Sequence, residues 1–159
     1  MNYYNWRRPH SHNSVTLLGC SNLPIKTDIK EDHFRFENFK REQGVDLEYV
    51  HLMCFNKKPT QWAEPKQYIS GEHDLWVKAS VSNPDVLNSQ KEAFVNFNVN
   101  LDSNKSYMLN RKRDGDKISI WIQEVETGTV VSKVLTDELS RPLQIDNELR
   151  KRQCRSGSI

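Results

Sequence analysis

The sequence has no apolar stretch approaching the ~20 residues of a membrane-spanning helix, which excludes a polytopic membrane protein. With only 6 Gly and 6 Pro in 159 residues, it is neither collagen-like nor a Pro/Gly-rich low-complexity chain. Charge of one sign is scarce too. Its 23 Lys+Arg and 21 Asp+Glu leave +2, too little for the basic stripe of a nucleic-acid domain, so no nucleic-acid partner is expected. The 3 cysteines stand at positions 20, 54 and 154, with no Cys-x-x-Cys spacing. That argues against a zinc ribbon or a thioredoxin-type site. Phosphate-cradling glycine loops and the Gly-x-Ser-x-Gly elbow are also missing. The histidines at 10, 12, 33, 51 and 73 show no His-Glu-x-x-His spacing. Asp114-Gly115-Asp116 lacks the later ligands of a calcium loop. We therefore expect no catalytic residues, no metal and no cofactor.

What is present can seed a core: 4 Trp, 5 Tyr and 6 Phe, in a chain long enough for one ordinary domain. Residues 1–26 show no sustained period and contain Pro9 and Pro24, so they read as a leader-like or disordered segment and linker. Residues 27–43 read as a short helix capped by Thr27 or Asp28, or as a strand over His33 to Phe36. Beyond Gly44 the period is two. Val45, Leu47 and Tyr49 alternate with acids, then Val50, Leu52 and Cys54 continue the apolar set, which predicts a β-bulge near Tyr49-Val50. Residues 56–72 read as a long loop with room for a short strand near Tyr68. Leu75 to Val81 and Ala93 to Leu101 alternate cleanly, the mark of half-buried antiparallel strands. Asp114-Gly115 between alternating runs predicts a hairpin in which both turn residues accept positive φ. Thr127-Gly128 predicts a second hairpin, into a strand over Thr129 to Leu135.

The expected fold is an antiparallel, immunoglobulin-like β-sandwich of about six or seven strands spanning 27–135. The segment 136–159 is expected as an irregular C-terminal tail, basic around Arg150, Lys151, Arg152 and Arg155, with at most one or two helical turns.

Val15-Thr16-Leu17-Leu18-Gly19-Cys20 resembles the lipobox of bacterial lipoproteins. In that family the cysteine is acylated and begins the mature chain. The stretch Met1–Ser14 carries two arginines but no apolar run, where a signal peptide carries one. Residues 68–132 carry a second resemblance. Tyr-Ile-Ser-Gly-Glu-His-Asp-Leu-Trp-Val (68–77), Ala-Phe-Val-Asn-Phe-Asn-Val-Asn-Leu (93–101), Lys-Ser-Tyr-Met-Leu (105–109) and Ile-Ser-Ile-Trp-Ile-Gln-Glu-Val-Glu-Thr-Gly-Thr-Val-Val-Ser (118–132) look like small bacterial lipoproteins of unknown function. The two resemblances imply a lipid anchor at Cys20 and a periplasmic address. Cys54 and Cys154 would then be free to pair in an oxidising compartment, or to remain as two thiols.

On the polar side of the alternation, Trp76, Phe94, Met108 and Trp121 point away from the expected core. On neighbouring strands they would form one apolar stripe. Such a stripe is either a docking surface for a protein, peptide or glycan, or is covered by a second layer such as the 27–43 helix. Three functions are therefore expected in order. The first is a non-enzymatic cell-envelope lipoprotein acting as an accessory or binding module. The second is a cytosolic immunity or regulatory domain. The third is a small hydrolase or lyase using His51 or His73 beside a carboxylate.

Overall fold

The computed structural model describes residues 28–61 and 65–159. Leader, linker and Cys20 therefore lie outside the described residues. The architecture is a β-sandwich of two five-stranded sheets with one C-terminal helix. The first sheet has the order β10-β9-β8-β1-β5, built from β1 (His33–Glu37), β5 (Lys66–Ile69), β8 (Ser106–Asp114), β9 (Lys117–Glu124) and β10 (Leu135–Glu138). The second has the order β2-β3-β6-β7, built from β2 (Phe39–Arg41), β3 (Leu47–Phe55), β6 (Gly71–Ser82) and β7 (Lys91–Leu101). The short β4 (Lys58–Pro59) folds back onto β3. Pairing is antiparallel except between β1 and β8, which run parallel.

Alternation drives the layering. Leu75, Val77, Ala79 and Val81 from β6 face Ile118, Ile120 and Ile122 from β9 across one buried core. Each large side chain so buried contributes roughly 1.5–3 kcal/mol. Phe34, Tyr107 and His73 close one end as an aromatic cluster, Phe34 lying 5.8 Å from Tyr107 and 5.6 Å from His73. The buried Tyr107 keeps its hydroxyl satisfied by accepting the Asp102 main-chain N–H at 3.0 Å.

Of the two readings of 27–43, the strand is correct and the helix is not. Phe34 and Phe36 both point into the core at period two. At Asn38 the chain then crosses between sheets, its carboxamide accepting the Leu52 N–H at 2.9 Å. The bulge lies later than expected, between Leu52 and Cys54. No parity change occurs at Tyr49, because Glu48 itself points inward and is buried against Arg111 from β8, at 2.5 Å. Arg111 in turn lies 4.4 Å over the Phe39 ring.

The first hairpin forms as expected, with Asp114 opposite Lys117. Only Gly115 takes positive φ (60°), so this is a turn with glycine at its first central position rather than one with two positive residues. The second returns through a single bridge, Gln123 to Val130, and its strand begins only at Leu135. The sandwich thus continues past residue 135.

The tail is not irregular. Asn147–Ser156 forms α1, whose N-cap Asp146 accepts the Leu149 N–H at 2.7 Å. Gly157 closes it with a left-handed φ of 72° and an N–H donated to the Gln153 carbonyl.

Candidate functional site

Two features on the outer face of the β2-β3-β6-β7 sheet combine chemistry with position. The first is the seat of α1. A regular β3 would turn Cys54 inward, two residues after the inward Leu52. The bulge sets Met53 and Cys54 together against the outer face, with Cys54 opposite Trp76. There the Cys54 and Cys154 sulfurs are bonded, joining residues 100 apart, and both cysteines are fully buried. Met53, Trp76, Phe94 and Ile159 pack around the bridge as a second, smaller core. Arg150 of α1 lies 5.5 Å over the Phe94 ring. The buried Glu92 pairs with Lys78 at 2.8 Å beside this layer. Under it, burial, with Lys78 and Arg150 nearby, pushes the His51 imidazole down to about 4.

The expected four-residue stripe therefore does not exist as one surface. Trp76 and Phe94 lie on the β6–β7 outer face and are covered by α1, not by a 27–43 helix. Met108 and Trp121 belong to β8 and β9, on the outer face of the other sheet. Trp121 donates its indole N–H to Gln123 Oε1 at 2.9 Å, and Asn110 Nδ2 reaches the same oxygen at 3.0 Å. Strand-to-strand neighbourhood, which periodicity does not carry, separates the pairs.

The second feature is a cleft of about 410 Å³, lined by Asn56, Glu72, His73, Asp74, Asn98, Val99 and Asn100. It is built from the alternation on β7, which turns Asn96, Asn98 and Asn100 outward beside Asp74 and Glu72 of β6. The β3–β4 turn supplies Asn56, at φ 48°, one of the few residue types that tolerates this region without being glycine. Its carboxamide orientation is fixed, because Oδ1 accepts the Asp74 main-chain N–H at 2.9 Å. Nδ2 must then donate to His73 Nδ1, at 2.9 Å. The His73 proton consequently sits on Nε2, which donates to the Ile69 carbonyl at 2.5 Å. Asn96 Nδ2 donates to Asp74 Oδ1 at 2.6 Å.

His73 is thus a strand residue whose ring lies tilted 4.6 Å from the Phe55 ring, with both ring nitrogens engaged. His51 has the cations Lys78 and Arg150 nearby. Among the described residues, no group of three or more His, Cys, Asp or Glu is placed to hold a metal. His10, His12 and Cys20 lie outside the described residues.

Compared with known protein families, curated proteins and solved structures, this chain matches none. Its functional reading rests on these two features. The cleft presents amide donors and carboxylate acceptors held by one another, which suits vicinal hydroxyls better than an anion or an apolar group. The asparagines were readable at every second position from 96 to 100, yet as polar-face residues they carried no sign of Asn56 or of a cleft. A second cavity, of about 450 Å³ between Ser82, Val86, Asn88, Arg141 and Pro142, is a gap between two loops. Ser89 there is spent on holding Asn83 through both main-chain groups.

Proposed function

We propose that this chain is a non-enzymatic binding module of the cell envelope, anchored through acyl chains on Cys20, with the asparagine-lined cleft as its binding surface. The observation that carries the reading is the buried Cys54–Cys154 bridge between β3 and α1. Bridges of this kind persist in oxidising compartments and are rare where thiols are kept reduced. The resemblance of residues 17–20 to a lipobox, and of 68–132 to small lipoproteins, supports the same address. Two acyl chains suffice for stable anchoring, whereas one is marginal. The ligand favoured by the cleft's chemistry is neutral and hydroxyl-rich, a glycan.

The test has two arms in the native host. Labelled palmitate enters the wild-type protein and not Cys20→Ala. Oligosaccharide from that envelope, titrated onto the protein, shifts the side-chain amide resonances of Asn98 and Asn100. Absence of label from the wild type, with all thiols reduced, would assign the chain to the cytosolic interaction class instead. Label without amide shifts would keep the anchor and remove the glycan.

A further inference from the structure

The β2-β3-β6-β7 sheet ends at β7. Pairing of β7 with β6 runs without a slip from Gly71 opposite Leu101 to Val81 opposite Lys91. Main-chain groups of β7 therefore alternate strictly between β6 and the outer edge. The first part of that edge is occupied. Glu92 exchanges main-chain bonds with Ser140 at 2.7 and 2.9 Å, and the Phe94 N–H donates to the Asp137 carboxylate at 2.9 Å. These bonds fix the parity, so Asn96, Asn98 and Asn100 turn their N–H and C=O groups outward. Among the described residues, no main-chain partner meets them there.

Exposed edges are ordinarily blunted by charge, proline or a bulge. Residues 93–101, Ala-Phe-Val-Asn-Phe-Asn-Val-Asn-Leu, contain none of these. We infer that this chain forms a two-fold dimer by antiparallel pairing of β7 with β7 of a second copy, centred on Asn98. That register places Asn96 opposite Asn100 of the second copy and uses every open donor and acceptor of the three asparagines. Centring one residue earlier would set Asn100 against Phe94, whose N–H is already taken by Asp137. Centring one residue later would set Asn96 against Asp102, beyond the strand.

The side chains are self-complementary in the same register. Amides meet amides on the outer face, and Phe97 meets Val99 on the inner. No charge lies across the axis to repel its copy. The inference is independent of the glycan reading, since it rests on main-chain groups.

Sedimentation equilibrium of the full chain carrying Cys20→Ser, which removes thiol-linked dimers, tests it. The expected mass is twice the 18.7 kDa of one chain, with slow hydrogen exchange at the amides of Asn96, Asn98 and Asn100 that strengthens with concentration. Asn98→Pro removes only an outward N–H, so the β6 ladder survives while the edge is blocked. It is expected to be monomeric with an unchanged circular dichroism spectrum. Asn98→Lys places like charges at the axis and is expected to be monomeric at low salt, which keeps the test decisive should the proline variant misfold. A wild type that stays monomeric at millimolar concentration would overturn the inference. So would a dimer that survives Asn98→Lys, or one whose three asparagine amides exchange freely.

Discussion

At the scale of single residues, the two most informative side chains are polar groups that the fold has enclosed. Glu48 points into the sandwich and is held there by Arg111, with Arg113 3.8 Å away and in turn paired with Asp46 at 2.7 Å. This ion pair joins the two sheets where the apolar core ends, and losing Glu48 would leave the Arg111 guanidinium without its carboxylate. His51 is enclosed between the β3–β6 outer face and α1, in the neighbourhood of Lys78, Arg150 and the Lys78-bound Glu92. Its folded value, about 4, lies below the ordinary 6.5. The folded state therefore binds fewer protons than the unfolded chain through this interval. The stability it contributes is complete above 6.5 and is lost as pH falls towards 4. The loss is about 3 kcal/mol at pH 4. We predict that His51→Gln flattens the wild-type slope of unfolding free energy between pH 7 and pH 4 by that amount in urea titrations. Parallel slopes would show that the imidazole is not enclosed. None of this was legible in the sequence. Glu48 reads there as a solvent-side acid between Leu47 and Tyr49, because Arg111, the partner that buries it, lies 63 residues away, while the nearby Arg41 reaches it from the exposed side.

At the scale of elements, strand existence was legible and strand neighbourhood was not. The alternation over 93–101 and 118–122 reports a wetted and a dry side, and β7 and β9 follow it residue by residue. The glycine turn at 115 was equally plain. Which sheet each strand joins depends on contacts across the chain, so the stripe was conditional on neighbouring strands, and Trp76 and Trp121 lie on different sheets. The bulge was expected from the right kind of signal at the wrong residue, since a buried glutamate was read as polar surface. The helix was read only as one or two turns in the tail, because a 10-residue helix with one buried side chain is not stable on its own. Its place is set by the bridge to Cys54. We predict that Cys154→Ser costs about 2–4 kcal/mol in urea unfolding, the typical contribution of a disulfide. In the same variant, amides of 147–156 exchange at unfolded rates while β6 to β9 remain protected. Retained protection of the helix would show that packing on Trp76 and Phe94 holds it without the covalent link.

At the scale of the whole molecule, two unlike faces result from one alternating pattern. The β6–β7 outer face is divided between a helix stapled over its aromatic end and an open row of asparagines at the other. The lone edge of β7 runs along that row, so the cleft and the proposed dimer contact share a border at Asn98 and Asn100. The staple is the part of the arrangement on which the helix seat and the proposed envelope address depend. Its direct test is a peptide map of the protein taken from its native host, with free thiols alkylated in acid before digestion. The account predicts that the peptide containing Cys54 is recovered joined to the peptide containing Cys154, with neither carrying the alkyl label. Recovery of both peptides separately, each fully alkylated, would contradict it.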